Sequence, residues 1–341
     1  MKKILLLGSA LFIFQIHTSV GQASKNRTFL KVNTGSHATT VSDKVPQHRN
    51  CGTMESLEFE MQKDPSLKDR MDKIEEETQK QINALNNAGT NKVSTVYKIP
   101  VVVHVVYNSA SQNVSNAEIY SQIKALNEDY RKQNADIGLV PSAFAGLAAD
   151  VEIEFCLASV DPNGQPTNGI TRTQTSNTVG FTNTANDVKS DATGGKSPWN
   201  TNQYMNMWVC DLQGSLLGYA QFPGGPAATD GVVIDYMYFG TINSTAPFNK
   251  GRTTTHEVGH YLNLRHIWGD ASCGDDFVND TPTQQSSNYS CPTFPHKTCG
   301  NTTSGDMFMN YMDYVDDACM QMFTVGQKAR MVAALTGSRS G

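Results

Sequence analysis

The sequence contains no cluster of basic residues. Its 32 acidic side chains outnumber its 27 lysines and arginines, for a net charge of −5. That balance argues against nucleic acid or an anionic membrane as the main partner. There is no internal repeat. There is also no apolar run long enough to span a bilayer. The strongest one, "ILLLGSALFIFQI", follows Lys2 and Lys3 and leads to the small residues Ser19 and Gly21, spaced for cleavage before Gln22. This pattern reads as an export signal over residues 1–21. No cysteine follows the cleavage point to take a lipid, so the mature chain is expected to be extracellular and off the membrane. Nothing demands an oligomer, and a monomer is expected.

Cysteine is sparse and odd in number, at seven in 341 residues. Export into an oxidising compartment permits disulfides. Cys273, Cys291, Cys299 and Cys319 cluster late in the chain, and four cysteines allow three pairings. Cys156 and Cys210 each sit inside an apolar, strand-like run and read as buried free thiols rather than a pair. Cys51 stands alone near the N-terminus.

Gly, Asn, Thr and Ser are abundant, which suits a loop-rich globular protein. Residues 22 to about 50 are polar and aperiodic. Met54 to Leu85 suits helix, broken at Asp64-Pro65, and "NNAGTNK" is a linker. The main domain begins near Val93. "YKIPVVVHVVY" is a β-branched run of the kind buried on both faces of a sheet. Ser115 or Asn116 can cap a long amphipathic helix after it. "DVEIEFCLA", "NMWVCDL" and the short "LLGYAQF" read as further strands. "RTTTHEVGHYLNL" is a second long helix, and a last one starts near Thr324. Strand–helix–strand order implies an α/β fold with a mixed, mostly parallel sheet backed by helices.

"HEVGHYLNLRH", residues 256–266, carries the chemistry. Four residues apart on a helix, His256 and His260 share a face and can bind one Zn²⁺ through their imidazoles. Glu257 projects toward the same site and can deprotonate the zinc-bound water as general base. His266 completes three protein ligands, which leaves a position open for catalysis, provided the helix stops and the chain turns back. That turn falls on Asn263. Asparagine tolerates the left-handed conformation better than any residue but glycine.

With these residues in place, the sequence resembles the pappalysin family of metzincin zinc proteases, closest to its compact microbial members. The resemblance rests on "HEVGHYLNLRHIWGD", "NYMDYVDDACM" and the four downstream cysteines, and covers roughly residues 95–335 plus a pro-segment. It implies a metzincin-like catalytic domain over 93–341, with a five-stranded, mostly parallel sheet, two long helices and a loop-rich lower subdomain from residue 267. It makes Met312 the Met-turn residue beneath the metal. It makes Tyr314 a phenol that supports the tetrahedral intermediate. It places Asp317 at the base of the pocket for the residue after the scissile bond, which implies cleavage before Arg or Lys. It makes "LLGYAQF" a cleft-rim strand that pairs with substrate backbone. It pairs Cys273 with Cys299 and Cys291 with Cys319. It also suggests structural Ca²⁺ at Asp276, Asp280, Thr281 and Gln284 or Gln285, whose oxygen donors suit that ion.

The resemblance also accounts for Cys51. A thiolate in a pro-segment, residues 22–92, can take the open zinc position and keep the enzyme latent. Gly52 lets the backbone pass close. Lys80 and Lys92 are candidate neighbours of the activation cut. The expected protein is thus a secreted zinc endopeptidase acting on proteins or peptides and inhibited by its own pro-segment. A zinc-binding pseudoprotease or adhesion module is the alternative, disfavoured by the presence of Glu257. A purely structural zinc is disfavoured because closed structural sites take four protein ligands, usually with cysteine.

Overall fold

The β-branched run builds the centre of the molecule. In the structure, a computed structural model that describes residues 46–87 and 95–340, β1 runs from Tyr97 to Tyr107 and is buried along most of its length. The expected signal peptide, residues 22–45 and Lys92 lie outside the described residues. Three parallel strands flank β1. β2 (Ile153–Leu157) and β3 (Ile170–Gln174) lie on one side, and β4 (Met205–Cys210) on the other. Beyond β4 come β6 (Val232–Asp235), parallel, and β5 (Gly218–Ala220), an antiparallel edge strand.

The sheet has six strands, where five are expected. β2 pairs with Tyr97–Val101 and β3 with Val103–Tyr107, so the two follow one another along one side of β1. The added strand is polar, with no fully buried residue, and therefore lacks the apolar signal of its neighbours. The rim strand is also shorter than the apolar run that announced it.

One face of the sheet meets helices. Val101, Val103 and Val105 of β1 pack in a core with Ile119, Leu126 and Tyr130 of α3 (Asn116–Tyr130) and Val258 of α5 (Arg252–Tyr261). Ser115 caps α3, accepting the Glu118 amide at 3.1 Å; the four-residue α4 (Ser142–Ala145) follows on the way to β2. The other face is closed by the segment from Phe181 to Lys196, against Val106, Trp208, Tyr219 and Val233.

The N-terminal helices α1 (Thr53–Lys63) and α2 (Ser66–Asn87) break at Asp64 and Pro65, as the sequence indicates. They belong to one compact unit, Thr40–Gly341. α1 packs on β5, and α2 on α6 (Val325–Thr336), whose first turn is closed by a capping box between Thr324 and Gln327. The loop-rich stretch before α6 is stapled by Cys273–Cys299 and Cys291–Cys319. Cys210 is buried, but Cys156 is exposed. Its strand β2 borders the sheet, so the outward side chain meets solvent instead of a second layer.

Candidate metal centre and active site

Helix α5 is buried along its whole length. It ends at Tyr261, short of the Leu264 expected. Asn263 follows in the left-handed region at φ 71°. The amides of Asn263 and Leu264 return to the carbonyls of His260 and Gly259, each at 2.9 Å. The chain reverses and carries His266 back toward His256 and His260. Gly259 sits where a Cβ would lie 2.4 Å from Met312 Sδ. A glycine here lets Met312 pack directly beneath the histidine helix.

The three rings are oriented from behind. His256 Nδ1 donates to Tyr311 O at 2.7 Å, and His260 Nδ1 to Leu264 O at 2.8 Å. His266 Nδ1 meets Asp270 Oδ1 at 2.5 Å, and Trp268 stacks on its ring at 4.4 Å and 7°. With the Nδ1 protons committed, the Nε2 atoms carry bare lone pairs. They converge: His260 Nε2 lies 3.2 Å from that of His256 and 3.1 Å from that of His266. These contacts are acceptor against acceptor, a geometry that a cation resolves. Burial, then mutual repulsion among the rings, holds His256 and His260 well below the ordinary imidazole range, in the neutral form a metal requires. Cys51 joins them, and all four donor atoms lie within 4.8 Å of one another. The residues fit a metal ion.

Glu257 faces the N-terminal segment. Its Oε2 accepts the Thr53 hydroxyl at 2.9 Å and the Cys51 thiol at 3.3 Å. Thr53 Oγ1 in turn accepts the Ala220 amide of β5 at 2.8 Å. Burial pushes the Glu257 carboxyl up to about 7 against the lowering effect of these partners. Burial, then Glu257, raises the Cys51 thiol. Tyr314 lies 5.0 Å from the His266 ring and 4.8 Å from that of Trp268, centroid to centroid. Burial lifts its phenol well above the usual range.

Two residues before Cys51, Arg49 is buried against Asp317. Its guanidinium donates to Asp317 Oδ1, to Thr253 Oγ1 at 3.1 Å and to Val315 O at 3.3 Å, over the ring of Phe248. The other carboxylate oxygen, Asp317 Oδ2, accepts the amides of Lys250 at 2.7 Å and Arg252 at 3.3 Å, at the start of α5. The helix thus aims one oxygen of Asp317 into the pocket. Between Arg49 and Thr53 the segment runs parallel to β5: Leu217 N donates to Asn50 O, and Gly52 N to Gly218 O, both at 2.9 Å.

Of the residues suggested for Ca²⁺, Asp276 and Thr281 meet each other, while Asp280 and Gln284 bond other partners. Asp276 accepts the Thr281 hydroxyl and the Val278 amide. Asp280 accepts the Thr324 hydroxyl and the Gly326 amide at the start of α6, and the Gln284 amide donates to Asp313. Asp280 thus serves as a cap of α6.

Sequence reasoning missed Arg49, Thr53, Thr253, Trp268 and Asp270. Only Arg49 left a signal: a basic residue two before Cys51, in a chain whose expected pocket is acidic.

The family profile described as pregnancy-associated plasma protein-A, of peptidase family M43, matches residues 187–336. An extracellular metalloprotease of Pyricularia oryzae is 33% identical over 252 residues, 71% of this chain and 76% of the relative. Another, from Arthroderma otae, is 28% identical over 276 residues, 78% of this chain and 88% of the relative. Among solved structures, mature mirolysin of Tannerella forsythia in complex with a cleaved peptide is 53% identical (TM-score 0.71), over 72% of this chain and 95% of that one. A promirolysin mutant of the same organism is 48% identical (TM-score 0.78), over 85% of this chain and 96% of that one.

Proposed function

The chain belongs to the pappalysin family of metzincin metallopeptidases, and from that premise we propose that it is a secreted zinc endopeptidase, made latent by residues 22–92 and cutting before arginine or lysine. The observation that carries this reading is the N-terminal segment itself. It lies across the donor cluster with Cys51 among the three histidines, Thr53 on Glu257 and Arg49 in the Asp317 pocket. Extracellular relatives, and the absence of any membrane-length apolar helix among the described residues, support secretion.

Zinc, when held by His256, His260 and His266, supplies a Lewis acid that acidifies water and polarises the scissile carbonyl. The chain's own groups do the rest. Once Cys51 and Thr53 leave, Glu257 Oε2 is free to accept the proton of the attacking water and return it to the leaving nitrogen. The Tyr314 phenol donates to the oxygen on which charge develops. The rim strand β5, with Leu217 just before it, offers Leu217 N, Gly218 O and Ala220 N to an extended peptide.

Direction follows from position. A substrate with arginine in the Asp317 pocket, cut on that residue's N-terminal side, must send its upstream residues past the histidines toward Phe222. In the pro-segment the residues after Arg49 take that path. On this reading it lies in the cleft backwards, with Cys51 and Thr53 rather than the bond before Arg49 against Glu257.

The test is digestion of a peptide library by the activated chain, beside Glu257→Ala and beside chelator-treated enzyme. Cuts before Arg and Lys are expected, lost with the chelator and reduced at least about 10³-fold in the variant. Cuts placed elsewhere would discard the Asp317 pocket and keep the protease. No cuts from a chain shown to have lost its pro-segment would favour the pseudoprotease.

A further inference from the structure

The upstream flank of the cleft is built around two arginines that the catalytic reading leaves unused. Phe222 lies edge-on to His260, ring centroids 5.4 Å apart, and the Arg265 guanidinium covers Phe222 at 4.5 Å. The Arg265 Nε is buried without a partner. Behind it, fully buried Arg330 donates Nε to Asn263 O at 2.6 Å. Its two terminal nitrogens grip both oxygens of Glu75 in α2, Nη1 at 2.8 Å. Burial would raise the Glu75 pKa, but Arg330 overcomes it and holds the carboxyl below its ordinary range, with Arg265 adding to the effect.

Two other carboxylates lie near this pair, and both are engaged. Asp270 is bound to His266, and Asp276 to the Thr281 hydroxyl and the Val278 amide. Glu75 is therefore the carboxylate that neutralises the flank, and it belongs to α2, within the pro-segment that activation would remove. With α2 gone, two guanidinium groups would border the path of a substrate's upstream residues. An extended strand advances about 3.3 Å per residue. Side chains two to four places before the scissile bond reach roughly 7 to 13 Å from it, and the steps of 5.4 Å from His260 to Phe222 and 4.5 Å from Phe222 to Arg265 put the guanidinium within that reach of the metal donors.

We propose that Arg265, backed by Arg330, forms an anion-recognising subsite on the upstream side of the active cleft, occupied in the latent chain by Glu75, so that the activated enzyme favours substrates with Asp or Glu two to four residues before the cut. The proposal rests on the endopeptidase reading and on removal of α2. A half-buried guanidinium on a buried aromatic ring is less screened than one in bulk water, and its bonds to a carboxylate are charge-assisted.

The experiment compares peptides identical except for Glu, Gln or Lys at each of these places, all with Arg after the scissile bond, cut by the activated chain. The ratio of kcat/KM for Glu over Gln at the responsive place is expected to be about 5- to 20-fold, with Lys below Gln, and to shrink as salt rises. Arg265→Gln should bring the ratio to about one, Arg265→Lys should retain most of it, and Arg265→Glu should invert it toward the Lys peptide. A Glu-to-Gln ratio near one throughout, with cleavage before Arg intact, overturns this subsite alone; so does a preference that survives Arg265→Gln. No cleavage of any peptide by a chain freed of its pro-segment removes the endopeptidase reading and the subsite together.

Discussion

Single residues decide whether the metal donors meet, and Asn263 shows how. At φ 71° it terminates α5 and starts the turn that returns His266. Only glycine adopts that conformation more cheaply. Asn263→Gly is therefore expected to leave zinc affinity intact and stability within about 1 kcal/mol. Asn263→Val should cost about 1–2 kcal/mol and loosen the metal, since a β-branched side chain resists the left-handed region. Thermal unfolding, and the rate of zinc loss to a chelator, measure both. This much was legible in the sequence, because the histidine spacing and the turn residue are local. Arg49 and Thr253 were not: 204 positions separate these hydrogen-bonded partners, and no spacing rule links them. Asp270 was hidden for another reason. It reaches His266 only because it too sits at positive φ, 55°, which nothing in "HIWGD" announces for an aspartate.

Elements were legible in proportion to their apolar content. β1 and β4 carried continuous apolar runs and the main helices periodicity, whereas β3 is polar and β6, though apolar, has only four residues. The segment between Phe181 and Lys196 gave no signal at all, yet it closes one face of the sheet. It does so with a buried lysine: Lys189 Nζ donates to Thr229 O at 2.7 Å and lies over the rings of Trp208 and Tyr219. Burial lowers the Lys189 pKa to about 7. The unfolded lysine keeps its ordinary value near 10.4. Between those values the unfolded chain binds a proton that the folded chain does not, so folding is favoured increasingly as pH rises from about 7 to 10. Methionine at this position carries no such charge. Lys189→Met should therefore match or exceed wild-type stability at pH 7, and the advantage should fade toward pH 10. Melting temperatures of both chains across that range test it. A wild-type advantage largest at pH 7 would show that the ammonium is stabilised where it lies.

At the scale of the whole molecule, the N-terminal segment touches every part of the candidate machinery: the pocket, the donor cluster, Glu257, the rim strand and α6. Its contacts fall on both flanks of the histidines, with Arg49 on Asp317 at one end and Glu75 on Arg330 at the other. The cysteine, its glycine and the paired disulfides could be anticipated from the sequence and its family likeness. The course of the segment could not, because direction along a cleft is a property of the assembled fold. That course matters beyond inhibition. On the proposed cutting direction, the stretch from Arg49 to Thr53 presents no bond to its own active site, and cutting by a second molecule is the expected route of release. When full-length protein is incubated without another protease, the lag before peptidase activity should shorten as concentration rises. Cys51→Ala should shorten it at every concentration. A lag independent of dilution would point to cutting within one chain. A lag that shortens with concentration would make the onset of activity a readout of how many molecules share the medium, dilute ones staying latent longest.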